Sequence, residues 1–221
     1  MPSVSNSPNM TLWDNLSPPW QCCLEEAWAA YRAGSYSYPI GAVVTDATGR
    51  VVARGRSRVG EHTAGERQLH GHPLAHAEIN ALIALDYNLF DPPHDCILYS
   101  ANEPCPLCFG AFYMSGLRTL RYAGSATLLG TTPYLSRKKI TIVGPEHADL
   151  ETIVMAMHVE FELARGRPRT NVLIDTWDRV LPRAVEFDER LFQSGELRRL
   201  SEDGVHVSTV VDRLVVGAGV Q

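Results

Sequence analysis

His76-Ala77-Glu78, followed further along by Pro104-Cys105-Pro106-Leu107-Cys108, restricts this chain more than any other feature. One imidazole and two thiolates offer a zinc ion three ligands and leave its fourth tetrahedral position open to water. That is the pattern of a catalytic site and not of a closed structural one. Cys105 and Cys108 are three apart, so at the start of a helix they point to the same side. The positive end of that helix favours thiolates over thiols. His76 opens another predicted helix, so two helix N-termini are expected to converge on one cation. Glu78, two residues past the histidine, stands where a side chain can move protons for a bound water.

Each half of the pattern has a plainer explanation. H-x-E alone carries no information, and PCxxC alone is equally a structural zinc knuckle or a redox pair. A structural zinc needs a fourth ligand, for which His62, His70, His72 and Cys96 are the candidates. A redox pair leaves His76 and Glu78 without a role. Taken together and in this order, with a buried strand between them, the residues point to catalytic zinc.

The surrounding periodicity places these motifs. Ser17-Pro18-Pro19 opens a helix with a hydroxyl cap and proline in the first turn. Trp20, Cys23, Leu24, Ala27, Trp28 and Tyr31 then recur at helical spacing until Gly34. Residues 40–45 and 50–56 are β-rich runs around Asp46-Ala47-Thr48-Gly49, a hairpin signal. Residues 57–74 read as a polar loop in which His62, His70 and His72 are solvated.

A helix is predicted from about His76 to Leu85, and a buried strand over 96–100. A second helix carries both cysteines and ends near Gly116. Strands follow over 119–123 and 139–143, and Leu150 to Ala164 has strong helical periodicity. Beyond Gly166, residues 165–169 read as a linker and 172–200 as helical but interrupted by Pro182. Residues 205–216 fit strand or helix equally. His94, His147, His158 and His206 read as structural. The order of elements indicates a mixed sheet with helices on both faces.

Composition narrows the function classes. With 45% apolar and 20% charged residues the chain reads as an ordinary soluble globular protein. A net charge of −5 argues against the broad basic surface that polynucleotide binding requires. Five cysteines is an odd number, two of them claimed by the metal motif, which fits a reducing compartment and not a disulfide framework. No apolar run reaches the roughly 18 residues of a membrane span, and residues 1–15 lack the features of a signal peptide. The expectation is a cytoplasmic protein with no membrane partner. The expected divisions are a flexible N-terminus (1–16), a zinc domain (17–165) and a C-terminal extension (166–221) that covers the active site or a dimer interface.

Residues 20–123, continuing to about 164, resemble the cytidine deaminase-like superfamily, whose H-x-E…P-C-x-x-C signature the chain reproduces. The stretch LYSANEPCPLCFGAFYMSG (98–116) is most similar to the guanine deaminase branch, and next to the tRNA adenosine deaminases. Residues 39–44 (PIGAVV) resemble the strand that walls the family's base pocket. The resemblance implies an α/β fold, a three-layer α-β-α sandwich around a mixed five-stranded sheet, here with a mostly helical C-terminal extension.

By the same resemblance His76, Cys105 and Cys108 hold one Zn2+ per chain. The zinc-bound hydroxide attacks an amine-bearing ring carbon and Glu78 shuttles the proton. Ser57, Ala77, Asn102, Glu103, Pro104 and Ile40 are the implied substrate contacts, and a homodimer the implied assembly. Two departures stand out. Gly55-Arg56-Ser57 puts a serine where the branch usually has a substrate-contacting asparagine, and a hydroxyl cannot present both an amide donor and an acceptor. The chain also continues to Gln221, well past the usual end. The expected activity is hydrolytic deamination of a small aminated heterocycle, a purine-type base or nucleoside, with nucleic acid an unlikely partner. The alternatives are a tRNA adenosine deaminase, a cytosine- or cytidine-type deaminase, or a non-catalytic partner subunit. The basic residues that an RNA-acting enzyme would use are Arg50, Arg54, Arg56 and Arg58, with Arg165, Arg167 and Arg169.

Overall fold

A five-stranded sheet in the order β2-β1-β3-β4-β5 forms the middle layer of the molecule. The structure is a computed structural model that describes residues 11–34, 36–90, 93–125, 140–167 and 172–219. Helix α1 (Leu12–Asn15) and helix α2 (Pro18–Arg32) precede strands β1 (Gly41–Thr45) and β2 (Val51–Arg56). Then come α3 (Ala77–Ala84), β3 (Ile97–Asn102), α4 (Pro106–Met114), β4 (Thr119–Gly124), β5 (Thr141–Val143) and α5 (Ala148–Ala164). The chain closes with α6 (Val172–Val180), α7 (Pro182–Ser194), α8 (Glu196–Glu202) and α9 (Val207–Ala218). β1 pairs antiparallel with both β2 and β3, whereas β3–β4 and β4–β5 are parallel. Parallel neighbours need a crossover, and α4 supplies the one from β3 to β4.

Side chains alternate across the sheet and so divide the core in two. Val43, Tyr99, Ala101 and Ala123 face α2 and α5. Ala42, Val44, Leu98 and Leu120 face α3 and α4. Two glycines let the helices lie directly on the strands. A Cβ at Gly41 would stand 2.1 Å from the Cys23 carbonyl of α2. One at Gly55 would stand 2.2 Å from the Ala81 nitrogen of α3.

Helices α7 to α9 pack into the main core, and α6 packs against α5 through Ile174 and Trp177. Phe187, Leu191, Leu197, Leu200, Val210 and Leu214 join the same buried cluster as Trp20, Leu24 and Ile153 on the α2/α5 side of the sheet. Residues 11–16, read from sequence as the end of a flexible N-terminus, form a turn of helix closed by a Thr11–Asp14 capping box. Trp13 meets His206 edge-on at 5.8 Å. The stretch left open between strand and helix is helix α9, and the expected interruption at Pro182 separates α6 from α7, which Pro182 starts. His147 and His206 cap α5 and α9 by accepting from the backbone N–H two residues on. Lys139, the expected start of β5, lies outside the described residues. No helix among the described residues is long and apolar enough to cross a membrane.

Candidate metal centre

Helices α3 and α4 aim their N-termini at one point, and the residue capping each end is a ligand candidate. His76 is the N-cap of α3 and Cys105 the N-cap of α4, both in extended conformation with no side-chain capping bond. Their side chains are thus free to turn toward the space between the helices. Pro106 at the first helical position is pre-set for the helix and leaves no N–H unpaired there. The sequence-based expectation that both cysteines ride on the helix is corrected by one residue: Cys108 lies within α4, whereas Cys105 stands just before it. Gly55 completes the placement, since only a strand without a side chain at that position lets α3 sit low enough for Glu78 to face β3.

The three candidate ligand atoms lie within 4.8 Å of one another. Sγ of Cys105 is 3.6 Å from Sγ of Cys108 and 3.7 Å from Nδ1 of His76. Sγ of Cys108 is 3.3 Å from the same nitrogen. Tetrahedral zinc with ordinary Zn–S and Zn–N lengths requires S···S of about 3.8 Å and S···N of about 3.6 Å. The observed separations match those edges, so the donor set fits zinc. No fourth histidine, cysteine or carboxylate joins the group among the described residues. His62, His70 and His72 are exposed, with His72 Nδ1 accepting from the Leu74 N–H. Cys96 is packed in the apolar cluster with Leu85 and Leu117. All five cysteines are free thiols.

Glu78 is buried beside this group. One of its carboxylate oxygens accepts from Ser100 Oγ at 3.1 Å, and the other lies 3.2 Å from Sγ of Cys108. Burial, and then the charge of Cys105, push its carboxyl above the usual carboxylate range. Hydrogen bonding with Cys108, helped by His76, brings the Cys105 thiol down to about 4, while Cys108 itself is raised. Hydrogen bonding to Cys105 lifts the His76 imidazole.

Of the substrate-contact candidates, Ala77 and Pro104 adjoin ligand candidates along the chain. Ala77 is the buried first residue of α3. Ser57 is buried just past β2 and donates its N–H to the Ile40 carbonyl at 3.0 Å, tying those two positions together. Asn102 ends β3 with its side-chain oxygen buried and without a hydrogen-bond partner, an acceptor aimed at nothing in the protein. Glu103, whose N–H donates to the Gly124 carbonyl at 2.7 Å, and Pro104 link it to Cys105.

Sequence reasoning missed the residues that hold the neighbouring loop. Asn80 is fully buried; it donates to the Arg56 and Leu69 carbonyls and accepts from the Leu69 N–H at 2.7 Å. Glu61 bridges Arg56 and Arg58. An asparagine within the otherwise apolar run of α3 was the available signal for the first. Nothing local announced the second.

Residues 17–123 match the cytidine and deoxycytidylate deaminase zinc-binding region. The match takes in a little under half of the chain. The matched region is a zinc-binding one, and among the described residues His76, Cys105 and Cys108 are the group placed to hold such an ion. Among curated relatives, the guanine deaminase of Bacillus subtilis strain 168 is 35% identical over 94 residues. That match takes in 40% of this chain and 52% of the relative, so the deaminase region spans about half the length of that protein. The cytosine deaminase of Candida albicans is 26% identical over 124 residues, covering 56% of this chain and 75% of the relative. A solved structure in complex with 2,6-diaminopurine superposes with a TM-score of 0.51 at 27% identity, over 68% of this chain and 84% of that one.

Proposed function

We propose that the protein is a zinc-dependent hydrolytic deaminase that converts the amine of a small purine-type base or nucleoside to a carbonyl and releases ammonia. The observation that carries this reading is the tetrahedral spacing of His76 Nδ1, Cys105 Sγ and Cys108 Sγ beside the buried carboxylate of Glu78. A zinc ion held by these three residues would lower the pKa of a bound water far enough to supply hydroxide at neutral pH. Glu78, dry and held by Ser100, takes one proton from the attacking water and passes it to the ring nitrogen, then takes the hydroxyl proton of the adduct and passes it to the departing amine. Water adds to the ring carbon and the C–N bond breaks, so amine plus water becomes carbonyl plus ammonia. The unpaired side-chain oxygen of Asn102 supplies an acceptor for a ring or exocyclic N–H, and Ile40 and Ser57 wall the base.

The likeness to a guanine deaminase and to a protein complexed with 2,6-diaminopurine supports a purine ahead of cytosine. Electrostatics support a small molecule ahead of tRNA. Arg50 pairs with Asp46, Arg54 with Glu25, and Arg56 and Arg58 share Glu61, so each arginine of the cluster near β2 is already engaged by a carboxylate. By resemblance the assembly is a homodimer, which light scattering on the purified protein checks.

The test is ammonia release from a panel of aminopurines, aminopyrimidines, pterins and tRNA. Turnover of an aminopurine is expected. Glu78→Gln should lower kcat by about 10²–10⁴-fold with zinc retained, the usual worth of a positioned proton carrier. Turnover confined to tRNA or to cytosine contradicts the substrate class, and an unimpaired Glu78→Gln protein contradicts the mechanism.

A further inference from the structure

A second cavity lies on the other side of the sheet from the zinc ligands, and the deaminase chemistry does not use it. It is a cleft of about 700 Å³ where the C-terminal ends of α2 and α5 meet α8. Its size is that of a small-molecule site. Arg32, Arg165, Arg167 and Arg198 line it against only two carboxylates, Glu160 and Glu202. Arg32, Arg167 and Arg198 are exposed at its rim, and no ion pair within 4 Å engages Arg32 or Arg198 among the described residues. Planar guanidinium forks in such an array match the geometry of phosphate.

Two further features distinguish the cleft from an ordinary basic patch. Glu160, at its base, is wholly buried: one oxygen accepts from Tyr31 at 2.7 Å, and the other has no hydrogen-bond partner. The charge of Arg198 offsets its carboxylate, and the buried Asp188 of α7 faces it. At the lip, Tyr36 is 65% exposed and takes φ +70°, a backbone state that a bulky residue adopts only under constraint. The Arg165 guanidinium lies 5.1 Å from its ring centroid. The cleft therefore presents an aromatic face and a cationic rim within one volume.

We propose that this cleft is a second ligand site that binds a nucleoside monophosphate. The phosphate sits on Arg32 and Arg198, and the flat base lies at Tyr36. Glu202 at the rim disfavours a continuing run of phosphates and so selects a mononucleotide over a polynucleotide. The ligand has a physical route to the loop beside the zinc ligands. Two hydrogen bonds join the segment after Tyr36 to it: Ser37 Oγ accepts from the Gly60 N–H, and the Ile40 carbonyl accepts from the Ser57 N–H, each at 3.0 Å.

The experiment is titration calorimetry with AMP and GMP on the full-length, zinc-loaded Glu78→Gln protein, in which neither probe is turned over. Adenosine, guanosine, inorganic phosphate and a short RNA serve as comparison probes. Saturable binding of AMP or GMP at one site per chain is expected, with the matching nucleoside and phosphate each at least tenfold weaker. Arg32→Ala/Arg198→Ala in the same background should weaken the nucleotide tenfold or more with an unchanged Tm, since both side chains are on the surface. Arg198→Glu provides the same readout if the double variant is poorly folded. No binding of either nucleotide overturns the proposal. So do phosphate binding as tightly as the nucleotide, preference for the RNA, and affinity indifferent to the arginines, which would put the ligand at the zinc site.

Discussion

Glu78 is constrained through two contacts, and each can be changed separately. Its bond from Ser100 Oγ fixes the carboxylate in a buried site where the alternative is no partner at all. A hydrogen bond to a charged group is worth about 1.5–3 kcal/mol. Ser100→Ala should therefore lower kcat about tenfold with zinc content unchanged, as measured by steady-state ammonia release; an unaltered kcat would show that Ser100 does not orient the carboxylate. The ligands and Glu78 were legible in the sequence because metal chemistry demands particular residue types at short spacings. Ser100 and Asn80 were not, since their partners lie 22 and up to 24 positions away and small polar residues inside apolar runs have many uses. Ser57 was legible as a departure, and its place beside Ile40 emerged only from the fold.

At the scale of elements, the close seat of α3 on β2 is what sets the metal site, and Gly55 makes it possible. An alanine there meets backbone on three sides within 2.7 Å, atoms that cannot rotate away. Overpacking of this kind typically costs about 1–3 kcal/mol. Gly55→Ala should lower Tm and reduce bound zinc together; a stable variant with full zinc would detach the helix seat from the site.

The pairing of α5 with α7 makes an opposite prediction. Asp188 of α7 is fully buried with neither oxygen hydrogen-bonded, facing Glu160 of α5. Burial, with the Glu160 charge adding to it, holds its carboxyl well above the ordinary range. A carboxyl raised in the folded state costs no stability below its unfolded pKa near 3.9, and stability falls as pH climbs toward the folded value. Asp188→Asn should therefore stabilise the protein by about 1–3 kcal/mol at pH 8, with the gain shrinking toward pH 4. Denaturant unfolding at several pH values checks it, and a loss of stability at pH 8 would contradict the assignment. Elements with one strong period were read correctly within a few residues. Helix α9 was not separable from a strand because its valine-rich run suits both, and the deciding contacts, with α1 and α5, come from distant parts of the chain.

For the whole molecule, the three layers followed from the alternation of β and α patterns, whereas the place of the tail did not. Nothing local in residues 182–218 tells Phe187, Leu197 or Leu214 to pack beside Trp20 and Leu24. That packing puts the described tail residues on the face opposite α3 and α4, so the zinc ligands and the tail helices are separate tenants of one sheet. The account stands on the metal, and zinc analysis of the purified protein by mass spectrometry tests it most directly. The prediction is one zinc per chain, lost in Cys105→Ser/Cys108→Ser. Wild-type protein that holds no zinc when the metal is supplied, or a double variant that holds as much as wild type, would contradict it.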